Sequence, residues 1–179
     1  MKSPNRQWSE WRRADVFCGI ERLGPPPSLT FHVKRNPMNP KIEQPTDNEK
    51  LWIQEQLRGA AKLVDIFWPQ EAGKPLTLAA LDCAYSVWYA GNEKDTKIIN
   101  AVINRVGVAF GQSLVEGLGL SWVIATDERG ADLAVHGPPG KADVLVYPAN
   151  FVAKRWERQE MQFLEKSYNQ IAEQVRALP

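Results

Sequence analysis

Cysteine and histidine are scarce in this 179-residue chain, which contains two residues of each kind. Cys18 lies in an irregular stretch and Cys83 in a strongly helical one, so we predict two free thiols and a reducing compartment. His32 and His136 are far apart in the sequence. Because no Cys-x2-Cys, His-x3-His or Gly-x-Ser-x-Gly pattern occurs, zinc-site and α/β-hydrolase chemistry have no sequence support.

An excess of charge of one sign and a long apolar run are also missing. Lys and Arg number 22 against 21 Asp and Glu, a net charge of +1, which argues against nucleic acids and acidic membranes as partners. The most apolar window, residues 98–110, contains Asn100, Asn104 and Arg105 and is shorter than the ~20 apolar residues of a membrane span. We therefore expect a cytoplasmic protein with no membrane partner.

Residues 1–45 form a Pro-rich, basic segment without a sustained helical or strand period. Six of the 13 prolines precede residue 41, and the first 40 residues carry seven basic and three acidic side chains. This composition predicts a flexible leader, although Trp8, Trp11 and Phe17 belong to a residue class that disordered segments tend to lack. The alternative is that natural translation begins at Met38. In both cases we predict a single domain over residues 46–179.

Three helices are predicted in the first part of that domain. Thr46 and Glu49 have the spacing of a capping box, and apolar residues then recur at helical spacing up to Pro69. A second helix is expected from about Leu78 to Tyr89 and a third from about Asp95 to Leu118.

The apolar period then changes to two, which predicts strands. Three segments have this period: residues 120–126, 132–136 and 144–147. A last amphipathic helix is expected from about residue 148 to Ala177. The predicted fold is α+β, with three N-terminal helices, a three-stranded antiparallel meander, one long C-terminal helix, and the helices on one face of the sheet.

Two glycine motifs have structural explanations. Gly137-Pro-Pro-Gly-Lys141 is too short for a phosphate-binding P-loop, and its prolines have no amide hydrogens, so we predict a rigid turn between strands. Gly107 and Gly111 lie four residues apart on one face of the third helix. We expect another helix or the sheet to approach closely there.

Four charged residues form the candidate interaction surface. Asp127 and Asp132 flank the first predicted strand turn, and Lys154 and Arg155 lie near the start of the last helix. Each pair also has a structural explanation, since acids initiate turns and a basic run often forms a solvated helix face. No catalytic, cofactor-binding or metal-binding residue is predicted.

Asp82 and Cys83, in the second predicted helix, receive no functional role. Asp82 is a helical acid with no partnered histidine. A nucleophilic pair of Cys83 with His136 is conceivable, but the apolar neighbours of Cys83 favour a buried, inert thiol.

The order of motifs from the third helix onward is similar to that of a known family. The motifs are Gly107-x-Ala109-x-Gly111, Leu118-Gly-Leu-Ser-Trp122, Asp127-x-x-Gly130-x-Asp-Leu-Ala-Val135 and Pro148-x-x-x-Val152-x-Lys154-Arg155. Over about residues 76–158 the chain resembles a bacterial family known only as domain of unknown function 3806. The resemblance implies a small bacterial α+β domain and transfers no catalytic residues.

The function predicted from these observations is a non-catalytic protein-interaction module without a cofactor, whose partner is another protein. The alternative is a small enzyme or ligand-binding domain in which Asp127, Asp132 and Arg155 converge in one pocket, with the carboxylates about 6–9 Å apart as in paired-carboxylate chemistry. Nucleic-acid binding by the basic leader ranks last, because the rest of the chain is net acidic.

Overall fold

The computed structural model describes residues 40–128, 130–137 and 144–177, and the fold is given for these residues. The predicted leader lies outside the described residues up to residue 39. The flexible-leader prediction and the alternative start at Met38 both concern these residues. The turn motif that begins at Gly137 also lies outside the described residues from residue 138 to residue 143.

The three predicted N-terminal helices are confirmed. They are α1 (Asp47–Phe67), α2 (Leu78–Ala90) and α3 (Thr96–Leu118). The capping box at the start of α1 is present, because the Glu49 amide donates to Thr46 Oγ1 at 3.4 Å and the Thr46 amide donates to Glu49 Oε2 at 2.6 Å. A short 3₁₀ helix, Pro69–Glu71, ends α1 where proline was expected to end it.

Within the described ranges four antiparallel strands form one sheet, so the prediction of three strands was wrong in its count. In order along the chain and across the sheet they are β1 (Lys41–Glu43), β2 (Ser121–Asp127), β3 (Gly130–His136) and β4 (Leu145–Val146). The additional strand, β1, precedes α1 and pairs with β2, with Ile42 opposite Ala125. Its three residues are too few to show an alternating pattern in the sequence.

The sheet has an apolar layer on each side, because side chains alternate between its faces. On the side that faces the helices, Trp122 packs against the main core, and its indole N–H donates to Gln112 Oε1 of α3 at 2.9 Å. A second, smaller cluster is formed by the buried residues Val123, Ala125 and Ala134, packed with Leu145 and Tyr147. The centre of the opposite face is therefore buried and is not an open binding surface.

The single long C-terminal helix was also predicted wrongly, because the structure contains two helices there. They are α4 (Pro148–Glu157) and α5 (Leu164–Ala177). Between them, Gln159 and Gln162 adopt positive φ angles of 59° and 52°. Left-handed backbone at a residue other than glycine is uncommon and interrupts a right-handed helix.

The predicted close approach to Gly107 and Gly111 is confirmed. A Cβ atom added at Gly107 would lie 2.7 Å from the Cα of Ala149, at the start of α4. One added at Gly111 would overlap the Trp122 ring and lie 2.8 Å from Cγ of Pro148. The two glycines therefore let α4 and the sheet pack directly against the α3 backbone.

Helix α3 is the central helix, and most of its buried residues belong to the main core. Within the described part of the chain, it is the one helix long and apolar enough to cross a membrane by length and composition alone. In the structure, 56% of that 18-residue window is buried inside the protein, as is usual for a core helix. The absence of a membrane partner stays a prediction.

Candidate functional site

Asp127 and Asp132 lie at the same end of the β2–β3 hairpin. Asp132 accepts a hydrogen bond from Nδ2 of Asn150 on α4 at 2.6 Å, and its other carboxylate oxygen accepts from the Leu133 amide at 2.9 Å. Partial burial raises the pKa of Tyr147, and the negative charges of Asp127 and Asp132 raise it further. The structure therefore brings both predicted acids close to the Tyr147 phenol.

A shallow groove lies between the first turns of α1 and this end of the sheet. We call it the α1–sheet groove, and its lining residues are Glu49, Trp52, Ile124, Ala131, Asp132 and Leu133. Its volume of about 170 Å³ is smaller than the ~300–1,000 Å³ of a typical small-molecule pocket. The groove is therefore better suited to one or two side chains of a partner than to an enclosed substrate.

The two predicted basic residues of α4 lie in different environments. Lys154 is exposed, whereas Arg155 is buried and keeps 7% of its surface accessible. The Arg155 guanidinium carbon lies 3.3 Å from the centre of the Phe151 ring, and Nη1 donates to the Phe151 carbonyl at 3.2 Å. Arg155 Nε lies 3.8 Å from Glu160 Oε2, which is an ionic contact too long for a hydrogen bond.

The surroundings of Arg155 are those of a structural residue. Burial lowers its pKa to about 10, and Glu160 opposes this shift, so the side chain keeps its positive charge at neutral pH. Because the guanidinium is held against Phe151 and lies 5.4 Å from the centre of the Phe163 ring, it is not exposed together with Lys154 as the sequence analysis expected. Arg155 joins the packing of α4 instead of an accessible basic patch.

The remaining candidates do not form a recognisable reactive centre. Cys83 is buried in α2 with 8% of its surface accessible, and His136 is half-buried at the end of β3. Across the described ranges, no group of three or more His, Cys, Asp or Glu residues is placed to hold a metal ion.

A buried carboxylate that the sequence analysis passed over connects α2 with α5. Asp82 has only 5% of its surface accessible, and both of its carboxylate oxygens accept from the Leu164 amide at 3.1 Å. Oδ2 also accepts from the Glu165 amide at 3.2 Å. Asp82 therefore caps the N-terminus of a helix that starts 82 residues later in the chain. The signal in the sequence was that Asp82 is the one charged residue between Leu78 and Ala90.

The protonation of Asp82 is coupled to folding. Burial raises its pKa to about 6, against the opposing effect of the backbone amides that donate to it. In the unfolded chain an aspartic acid titrates near pH ~3.9, so the folded state binds the proton more tightly. The contribution of protonated Asp82 to the free energy of unfolding is therefore fully present below about pH 4 and is lost as the pH rises through about 6.

The neighbour of Asp82 on α2 is also polar and buried. Tyr85 is completely inaccessible, and burial raises its pKa, with smaller contributions from Tyr89 and Asp82. Its ring meets the Phe163 ring edge-on, with 5.6 Å between the centres. Within the described residues its hydroxyl has no hydrogen-bond partner, and nothing in the structure explains this.

The comparisons with known proteins give a family without an assigned activity. Residues 86–168 match the family model described as Domain of unknown function (DUF3806). The match extends from α2 into α5, so it ends about ten residues later than the sequence analysis expected. No curated protein and no solved structure matches the chain. Through residues 86–168 the chain belongs to the DUF3806 family.

Proposed function

We propose that this domain is a non-catalytic protein-interaction module that acts in the bacterial cytoplasm and binds its partner through the α1–sheet groove. The observation that carries this proposal is Trp52, which keeps 37% of its surface accessible while it lines the groove beside Ile124 and Leu133. Half-exposed tryptophan above an aliphatic floor is a typical centre of a protein-binding surface, because it gains much apolar burial on association.

The groove also revises the interaction surface predicted from the sequence. Asp132 lines it, and Asp127 lies at the same end of the hairpin. Lys154 remains an exposed candidate on α4, whereas the burial of Arg155 removes it from the surface. The enzymatic alternative depended on Arg155 joining Asp127 and Asp132 in one pocket, and its position against Phe151 gives that arrangement no support.

The test compares two neighbouring residues of α1 in affinity purification from the native organism at native expression. Trp52→Ala removes the groove aromatic, while Leu51→Ala changes a side chain with 62% of its surface accessible that does not line the groove. We expect one stoichiometric protein to co-elute with the unmodified protein and with Leu51→Ala, and to be lost with Trp52→Ala. A partner held equally by both variants, or a retained small molecule in its place, would contradict the proposal.

A further inference from the structure

Helix α5 and its neighbour α2 bury polar groups that are not fully hydrogen-bonded. Asp82 on α2 keeps 5% of its surface accessible and accepts from the Leu164 and Glu165 amides. The Tyr85 hydroxyl, one turn further along α2, is buried, and so is Oε1 of Gln170 on α5. Within the described residues neither of these two atoms has a hydrogen-bond partner. Because a buried polar atom without a partner costs free energy that contact with water returns, both atoms oppose the attachment of α5.

The linker between α4 and α5 opposes the attachment as well. Gln159 and Gln162 have φ angles of 59° and 52°, in the left-handed region that is unfavourable for residues other than glycine. Release of α5 lets both residues return to ordinary backbone conformations. The burial of Phe163, Leu164 and Ile171 acts in the other direction and holds the helix in place. Such a balance of opposing contributions is typical of an element that opens locally while its surroundings stay folded.

The charged and titratable groups around Asp82 make this balance depend on pH. Burial raises the pKa of Asp82 to about 6, and the negative charge of Glu165 on α5 acts in the same direction. Burial also raises the pKa of Tyr85, which therefore stays neutral. The other helices packed against α2 are α1 and α3, whose buried residues are all apolar. Asp82 has no ion pair among the described residues, and the buried Arg155 on α4 is in ionic contact with Glu160 instead.

We propose that α5 detaches reversibly while the other helices and the sheet stay folded, and that a rise in pH from about 5 to about 7 favours the detached state. In the detached state the Asp82 carboxyl is in contact with water and titrates near pH ~3.9, as in an unfolded chain. Protonation of Asp82 therefore favours attachment, and its ionisation favours release. With a pKa of about 6 in the attached state, the ratio of detached to attached molecules rises about 10-fold over this pH range. This device is independent of the α1–sheet groove.

The experiment places a thiol on the buried side of α5. Ser167→Cys replaces a side chain that has 4% of its surface accessible, so 4,4′-dithiodipyridine reaches the new thiol when α5 is detached. Mass spectrometry of peptides separates the label at position 167 from labels on Cys18 and Cys83. The rate at each pH is measured where it is proportional to the reagent concentration. It is then divided by the rate for the urea-unfolded chain at that pH, which removes the pH dependence of the thiol itself.

We expect the normalised labelling rate to rise about 10-fold from pH 5 to pH 7. At low urea concentrations the rate should be nearly independent of urea, because detachment of one helix exposes little surface. Asp82→Asn in the same chain keeps an oxygen acceptor but does not titrate, so the two pH values should then differ by less than about 2-fold. Glu173→Gln, which changes an exposed acid of α5, is the matched control and should retain the full rise.

Three results would overturn the proposal. The first is a labelling rate that rises with urea as steeply as global unfolding followed by circular dichroism, since α5 would then not open by itself. The second is a rate that does not change between the two pH values, or a rise that Asp82→Asn leaves intact. The third is the absence of labelling under native conditions. If Ser167→Cys does not fold, Ala172→Cys, at a position of α5 with 3% of its surface accessible, gives the same readout.

Discussion

The contact between α3 and α4 at Gly107 offers the sharpest test of the packing. Replacing Gly107 by alanine adds one methyl group, whose carbon would lie 2.7 Å from Cα of Ala149, 2.8 Å from its nitrogen and 2.9 Å from the Pro148 carbonyl oxygen. Carbon atoms pack best at about 3.5–4.0 Å, so α4 would have to move away by about 1 Å. Because the atoms met belong to the backbone, no side-chain rotation can relieve the overlap.

The magnitude follows from two opposing effects. Overpacking of a tight site costs about 1–3 kcal/mol, and contact with three backbone atoms places Gly107→Ala at the upper end of that range. Alanine returns about 1 kcal/mol through its better helix propensity. We therefore expect a net loss of about 2 kcal/mol in the free energy of unfolding and a fall in Tm of about 4–8 °C.

Gly117→Ala on the same helix is the matched control. A methyl group there would meet the hydroxyl end of the Tyr168 side chain, which can rotate aside. The gain in helix propensity should then keep the stability within about 1 kcal/mol of the unmodified protein. Urea denaturation followed by circular dichroism measures both variants, and the comparison requires an unchanged m-value. If Gly107→Ala is no less stable than Gly117→Ala, the reasoning about α3–α4 contact is refuted.

Three further predictions concern the caps and the buried charges. Between about pH 4 and 7 the unmodified protein should lose about 3 kcal/mol in its free energy of unfolding, and Asp82→Asn should abolish this loss. Urea denaturation at several pH values measures both proteins, and the same dependence of stability on pH in the two would contradict the prediction. Thr46→Ala should cost about 1 kcal/mol by removing the capping box of α1, measured as a lower urea midpoint. Arg155→Ala should cost about 2–3 kcal/mol through lost packing on Phe151, whereas Lys154→Ala should stay within about 0.5 kcal/mol; equal effects on Tm would show that Arg155 is not structural.

The helices that sequence analysis predicted well are those whose ends depend on neighbouring residues. The capping box at Thr46 and the proline at position 69 act within a turn of the α1 termini. Gly119, with φ of 68°, ends α3 in the left-handed conformation expected of a C-terminal glycine. Such signals lie within a few residues of the structure they determine, and a single sequence contains them.

The break between α4 and α5 depends on distant residues and was missed for that reason. Residues 158–163 contain no glycine or proline, and Gln159 and Gln162 are good helix formers. The start of α5 at Leu164 is fixed by the carboxylate of Asp82 on another helix. Tertiary contact therefore overrides local propensity at this point.

The candidate site was predictable only in part for the same physical reason. Asp132 was identified because it lies near a turn, and it lines the groove. Trp52 was not identified from the sequence, because the groove forms where α1 meets strands that lie about 75 residues further along the chain. The sequence did not show which of the two adjacent residues Lys154 and Arg155 is buried. Adjacent helical residues differ in direction by about 100°, and the sequence does not show which side of the helix is covered.

The cap that Asp82 provides gives the amide protons of Leu164 and Glu165 an unusual role. First-turn amides of a helix ordinarily lack partners within it and exchange rapidly with solvent deuterium. Here they donate to a carboxylate on α2, so their exchange requires separation of the two helices. Hydrogen–deuterium exchange at these two amides should therefore be slow in the unmodified protein and fast in Asp82→Ala, and it would report how often the C-terminal helix detaches while the rest of the domain stays folded.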